Sequence, residues 1–412
     1  MKKIYLVILV ISFSVNLFAQ GSIYSKFGLG EVRTSKFARA MGLGSNGIGF
    51  YDNDYLSVVN PASLFKVRLA RFESGAQINS YFLSDDKNSS FYSGTKFSGM
   101  QLAFPIEKDL GIVVSAGLVP YTDINYEIST IDESTILDPH TIDFKGEGGL
   151  SRLFISSSYK LPFDFVLGAS FDYYVGRSEY STIIKFDTKS SYHDASFRKD
   201  YSYEGIGGTF GLLTSDLSHI FGREIISDFR LGAVFGTGAS LKTDTVSNTD
   251  SQLGLIAGAE GRTYTELPIK YGLGLSFKIN KDYSILFDYL QENWSDYKYN
   301  DKNILQLKNS SSFSAGFEYK NAAPATGSFW EQAMYRGGLS YETTNLEING
   351  EAINQFSLFT GASLPLGLDS YIDFGLQYGM RGTTKNKLLS ENFLRFSVSL
   401  TLGELWFLRQ DR

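Results

Sequence analysis

Between Tyr371 and Met380 the chain reads Tyr-Ile-Asp-Phe-Gly-Leu-Gln-Tyr-Gly-Met. In an extended strand successive side chains point to opposite faces. Ile372, Phe374, Leu376, Tyr378 and Met380 therefore share one face, and Tyr371, Asp373, Gly375, Gln377 and Gly379 the other. Leu394–Leu402 repeats the pattern, with Leu394, Phe396, Val398, Leu400 and Leu402 against Arg395, Ser397, Ser399 and Thr401. Tyr271–Ile279 and Leu153–Leu161 read the same way. One apolar face and one small or polar face suits a strand between lipid and a polar lumen. A soluble two-sheet protein gives the same alternation with the faces reversed, and stands as the alternative architecture. Strand length, aromatic content and a candidate export signal favour the membrane form.

Working outward, about fourteen such strands can be counted, each near or above the ~9–11 residues a tilted strand needs to cross a bilayer. They lie near 68–82, 95–106, 110–121, 147–160, 164–180, 197–213, 228–242, 266–279, 283–298, 309–320, 333–343, 352–364, 370–381 and 391–403. Connections after the first, third, fifth and seventh are long and polar: Leu83–Gly94, Thr122–Gly146, Ser181–Ser196 and Thr243–Thr265. Several intervening ones are short, among them Glu107-Lys108-Asp109, Pro162-Phe163 and Asn280-Lys281-Asp282. Long loops outside and short turns inside are the habit of outer-membrane barrels. The parity predicts both termini on the periplasmic side of a Gram-negative outer membrane.

The 412 residues include 41 Gly, 15% aromatics and no Cys, with a net charge of −6. No basic face is available for nucleic acid, and without Cys there is neither a disulfide nor a cysteine-ligated zinc. Lys2 and Lys3, an apolar run from Ile4 to Phe18, and Ala19 describe a signal peptide over 1–19. Residues 20–65 carry seven glycines between Gly21 and Gly49 together with Phe27, Leu29, Phe37, Met41, Leu43, Ile48, Phe50, Tyr51 and Leu56. That much apolar surface argues against a solvated periplasmic tail, which is the alternative reading. The segment is expected to fold back as a plug inside a barrel formed by 66–412.

Ser25-Lys26-Phe27-Gly28-Leu29-Gly30, Ala38-Arg39-Ala40-Met41-Gly42, Asp52-Asn53-Asp54 and Val59-Asn60-Pro61-Ala62 together resemble the N-terminal plug of the FadL family of outer-membrane transporters. A second likeness runs from Glu266-Leu267-Pro268 through Gly272-Leu273-Gly274 to Trp294-Ser295. The resemblance implies an all-β, antiparallel, fourteen-stranded transmembrane barrel with a plug in its lumen. It also implies uptake of long-chain fatty acids or similar hydrophobic compounds, with release sideways through the wall into membrane lipid. On that reading Phe27, Gly42, Asn60, Pro61 and Ala62 belong to the gate. A lateral exit needs a strand that leaves its ladder, which Gly and Pro permit. Gly111, Gly117 and Pro120 in the third strand are the candidates, the bland alternative being a small lumen residue and a strand end. Asn60-Pro61-Ala62 also reads as a simple turn into the first strand.

His140, His193 and His219 fall in separate connections, so no metal site or triad is legible, and neither an enzyme nor a cofactor is expected. Arg230, Lys278, Asp288, Asp373 and Arg395 are expected to line the lumen as buried or wet pairs. Some FadL-like barrels escort exported proteins as parts of a secretion system, so a partner-binding role is the alternative function.

Overall fold

The computed structural model describes residues 21–33, 37–44, 47–85, 87–133, 138–187, 190–220, 226–251, 254–321, 328–367 and 369–404. The expected signal peptide and the tail after Glu404 lie outside them. The chain begins with a thin inner strand, β1 (Glu31–Val32), and then builds the wall. The wall strands are β2 (Ala70–Ser84), β3 (Ser89–Glu107), β4 (Ile112–Pro120), β5 (Thr122–Asp132), β6 (His140–Lys160), β7 (Val166–Phe186), β8 (Ala195–Leu213) and β9 (Ile226–Ser251). Next come β10 (Gly254–Leu267), β11 (Lys270–Ile279) and β12 (Tyr283–Glu292), then a small hairpin of β13 (Lys298–Tyr299) and β14 (Lys302–Asn303). The circuit finishes with β15 (Ser310–Tyr319), β16 (Met334–Ile348), β17 (Glu351–Pro365), β18 (Tyr371–Gly382) and β19 (Ser390–Glu404).

β19 pairs with β2 from Ser390↔Ser84 to Glu404↔Ala70, which closes the sheet on itself. β4 and β5 form one stave, and β10 and β11 another, so the wall is a closed antiparallel barrel of fourteen staves. Closure removes the free sheet edges that lipid could not satisfy, except where the third stave breaks. The faces follow the alternation: on β18 Leu376, Tyr378 and Met380 are exposed to the outside while Asp373, Gln377 and Arg381 are buried inside.

All four expected loops are half strand or more. Thr122–Gly146, Ser181–Ser196 and Thr243–Thr265 continue the ladders of β5–β6, β7–β8 and β9–β10, so one side of the barrel stands tall. In the linear chain their polar and charged residues read as loop, but the ladders pair them as strand. The outer face carries at least one ion pair at each strand junction there: Lys145–Glu127 at 3.1 Å, Lys185–Asp143 at 2.8 Å, Arg177–Asp200 at 2.9 Å with Arg198–Glu179 at 2.5 Å, Lys242–Glu204 at 2.7 Å and Arg262–Asp244 at 2.6 Å. Cross-strand pairs of opposite charge hold a sheet in register in water, where lipid no longer covers it.

The third stave breaks at Tyr121. β4 pairs with β3 only as far as Met100↔Leu118, whereas β5 continues on β6 and takes β1 on its other edge (Glu31↔Asp123, Val32↔Thr122). On β6 the register shifts by one residue between Pro120↔Ser151 and Ile124↔Gly148. Gly148 and Gly149 sit there at φ +113° and +138°, and a Cβ on Gly149 would come within 2.9 Å of the Thr122 carbonyl carbon. The bulge needs glycine.

Residues 21–66 run lengthwise inside this wall. Gly21 donates its amide to the Asn125 carbonyl at 2.9 Å, near the end where β2 turns into β3. The 3-10 turn Pro61–Lys66 lies at the opposite end, close to the start of β2. Gly21 and the Pro61–Lys66 turn thus lie at opposite ends of the barrel, because the segment traverses it before entering β2; the chain ends themselves lie outside the described residues.

Candidate functional site

The inner segment rests on glycines. Among the described residues, four of the inward-facing cross-strand Gly–Gly pairs carry the segment: Gly168–Gly211, Gly232–Gly274, Gly316–Gly338 and Gly361–Gly375. Each lies under main chain of the segment. A Cβ on Gly211 would collide with the Asn60 side chain and one on Gly168 with the Ala62 backbone. At Gly274 it would sit 2.6 Å from the Gly49 nitrogen, at Gly338 2.9 Å from the Gly44 nitrogen, and at Gly375 2.7 Å from the Ala38 carbonyl oxygen. Glycine inside a strand costs conformational entropy and removes a packing side chain. Here that cost permits backbone to lie on backbone around much of the circumference.

Polar groups on the wall satisfy the segment's amides. Asp288 accepts from the Gly47 amide at 2.7 Å and the Ile48 amide at 3.0 Å, and the Ser276 hydroxyl donates to the Gly49 carbonyl at 2.7 Å. Asn60 is fully buried: its Nδ2 donates to the Ile48 carbonyl at 2.7 Å, and its Oδ1 accepts the Ala62 amide at 3.0 Å. Asn60 caps the Pro61–Lys66 turn, with Pro61 at its first position, where a missing amide is harmless.

One charged cluster ties the middle of the segment to the wall. Arg39, on the short helix Ala38–Gly42, donates to Glu318 at 3.0 and 2.8 Å, to Asp54 at 2.7 Å and to Asp52 at 2.9 Å. Lys320 donates to Asp52 and Asp54 at 2.6 and 2.9 Å, and Arg336 donates to Glu318 at 2.5 Å. Burial alone would raise the Asp54 carboxyl, but Arg39, Lys320 and Arg71 hold it well below the usual carboxylate range. A depressed group contributes stability above its unfolded value and loses it as pH falls through the folded one. The segment is accordingly expected to resist pepsin at about pH 4, near the ordinary Asp value, and to become cleavable only in stronger acid. Cleavage already at mild acidity would contradict the coupling.

A second charged cluster holds residues 22–33. Glu31 accepts from Arg381 at 2.8 Å and Arg395 at 2.5 Å. Ser22 donates to Glu391 at 2.8 Å, and Arg33 donates to Gln77 at 2.7 Å and to the Phe97 carbonyl at 3.1 Å. Lys96 pairs with Asp123 across the gap between β3 and β5. Above lies an apolar cluster that includes Tyr24, Leu29, Tyr121, Tyr174, Tyr203 and Trp294.

The remaining expected residues can now be placed. Phe27 packs half-buried against that upper cluster, and Gly42 sits against Gly361 and Arg336. Gly117 pairs with Gln101, and Pro120 ends β4 at the break. Gly111 is remote from the break: it sits at φ +57° in the turn before β4, against Phe65. Of the lumen charges, Arg230 donates to the Tyr51 hydroxyl at 3.0 Å, Asp373 accepts from Thr401 at 2.8 Å, and Lys278 lies 3.6 Å from Asp228. Among the described residues no group of three or more His, Asp or Glu side chains is placed to hold a metal. Sequence reasoning did not single out Glu318 or the glycine pairs, whose linear signal is charge or glycine on the polar face of a strand, and Arg39 entered only within the quoted Ala38–Gly42 stretch.

A closed barrel of fourteen staves narrows the comparison with known proteins. A family model described as BamG matches residues 1–411. The chain belongs to the BamG family. No curated protein sequence matches it. Among solved structures, this BamG-family chain is similar to the Ralstonia pickettii toluene transporter TbuX, at TM-score 0.60 and 15% identity over 90% of this chain and 98% of that one. It is similar to the toluene transporter TodX of P. putida, again at 0.60 and 15%, over 90% and 98%. A FadL homologue of Pseudomonas aeruginosa follows at 0.59 and 13%, over 90% and 99%. The resemblance to FadL-type barrels is thus borne out in the fold, which is what likeness at such identities carries.

Proposed function

We propose that this barrel carries small hydrophobic compounds across the outer membrane, with residues 20–65 as its gate and the third stave as a lateral exit. The observation that supports this reading most is the break at Tyr121, where the wall is completed by the chain's own β1 instead of by β3. On the lipid-facing side, next to Gly117, an apolar groove of about 450 Å³ lies between Met100, Leu102, Leu118, Leu153 and Phe171. A hydrophobic ligand leaving here would pass from protein to lipid without full hydration. The chemistry suits acyl chains or aromatic hydrocarbons such as those named for the similar barrels.

Asn60→Ala leaves the Ile48 carbonyl and the Ala62 amide without a partner, each worth about 1–3 kcal/mol when buried. The variant is expected to assemble, fractionate with outer membranes, and show impaired hydrophobic uptake or leakage of polar solutes. Deleting 25–41 should do the same more strongly. Wild-type behaviour of both variants in both assays would refute the gate.

A second reading, a barrel that binds an exported or secretion-system protein, is favoured by one observation. The tall side leaves Ile131, Val246, Ile256 and Phe197 exposed among its charged pairs. A stoichiometric protein co-purifying in mild detergent, with normal hydrophobic uptake in a deletion strain, would favour it over transport.

A further inference from the structure

The tall side is a sheet with two ends, and they are finished differently. We propose that the open edge of β10, over Gly254–Thr263, is a docking site for an extended segment of a partner polypeptide, which adds to the sheet as a further strand. Transport stands or falls without this; what it deepens, and rests on, is the partner-binding alternative, to which it gives a place and a chemistry.

One end, β5, is covered by the chain itself. β1 pairs with Thr122 and Asp123, the Gly21 amide donates to the Asn125 carbonyl at 2.9 Å, and the Asn125 amide donates to the Ser25 hydroxyl at 3.1 Å. Beyond that cover the strand carries Glu127 and Asp132, and charge is a usual guard of a sheet edge.

The other end is bare. β12 stops at Glu292, opposite Lys270, so β10 rises past its neighbour. At its foot β10 already accepts a strand there: Thr265 and Glu266 pair antiparallel with β13, and the Asn300 amide donates to the Tyr264 carbonyl at 3.1 Å. Above that, among the described residues, β10 pairs with β9 alone. Gly258, Ala259, Glu260, Gly261 and Arg262 are all exposed, and a Cβ on Gly254 or Gly261 would meet nothing within 4 Å. From Gly254 to Ala259 there is neither charge nor proline. Tyr264 turns its carbonyl to the open side, and with a period of two the amides and carbonyls of Arg262 and Glu260 point the same way. A row of main-chain donors and acceptors at strand spacing is matched by another polypeptide backbone, the mode of recognition called strand addition. A second copy in the same membrane cannot supply that strand from its own β10. An axis along the membrane normal leaves both β10 strands running in the same sense, whereas the antiparallel line set by β13 needs opposite senses.

The test uses the whole barrel in detergent and a synthetic peptide of about eight alternating Thr and Val residues with Lys at both ends. Millimolar peptide is expected to slow hydrogen exchange at the Glu260 and Arg262 amides at least ~10-fold. The same peptide N-methylated on its pairing edge should have no effect. Arg262→Pro removes an edge donor where proline is tolerated and should abolish binding. Arg262→Thr loses the same ion pair to Asp244 but keeps the amide, and should bind like wild type. No protection by the peptide, equal protection by its methylated form, or full binding to Arg262→Pro overturns the site. A stoichiometric protein that co-purifies with wild type and with Arg262→Thr but not with Arg262→Pro supports it in the cell. One that stays on assembled Arg262→Pro overturns the edge and leaves the partner-binding reading standing. Self-association lost in Arg262→Pro, without peptide binding, would name a second copy as the occupant and overturn the proposal.

Discussion

Gly211→Ala is expected to be among the most damaging single methyls that can be added to this protein. Gly211 on β8 faces Gly168 on β7, and the Asn60-Pro61-Ala62 turn lies directly upon both. The new Cβ would overlap Asn60 Oδ1, and the Pro61 ring is 3.0 Å from the same point. Neither neighbour is the free end of a flexible chain, since Asn60 is tied to Ile48 and Ala62. The turn must lift or β8 must bow outward. Overpacking of this kind costs about 1–3 kcal/mol and more where backbone cannot yield. Gly261→Ala on β10 is the control, because a Cβ there meets nothing within 4 Å. The measurement is the temperature at which the folded barrel loses its fast gel mobility. It should fall clearly for Gly211→Ala and stay unchanged for Gly261→Ala. An equal fall in both would mean that glycine matters here for strand flexibility and not for seating the segment.

Glu318→Gln should be comparably severe for a different reason. The Glu318 carboxylate is buried on β15 and accepts from both Arg39 and Arg336. Neutralising it leaves two guanidinium groups facing each other with Asp52, Asp54 and Asp373 as the nearest remaining anions. Removing one partner of a buried pair typically costs about 3–5 kcal/mol, mostly the penalty of the charge left behind. The double variant Arg39→Gln/Glu318→Gln removes the imbalance and is expected to recover part of the loss. Strict additivity of the two single effects, measured by the same mobility assay, would show that the pair does not couple segment to wall.

The strand count, the inward and outward faces and the existence of an apolar segment ahead of the barrel were all legible in the linear chain. Alternation with period two is a local property: Ile372 to Met380 declares its two faces without reference to any neighbour. The tall side was not legible. Threonines and charges at 243–265 look like loop until β9 and β10 are seen to pair them, Asp244 opposite Arg262. Gly111 was singled out with Gly117 and Pro120 on composition alone, yet it belongs to a turn at the far end of its strand.

What the sequence by itself determined is the barrel, because each strand writes its own amphipathic pattern and fourteen such patterns must close to leave no edge in lipid. What only the tertiary structure decided is where the inner segment lies and what holds it. Gly168 and Gly211 are 43 positions apart in number, and Arg39 and Glu318 are 279 apart. Nothing local in either pair says that they meet. Their contact exists because barrel closure brings distant strands to the same inner wall, and the segment then settles where glycine leaves space and a carboxylate waits for an amide or a guanidinium.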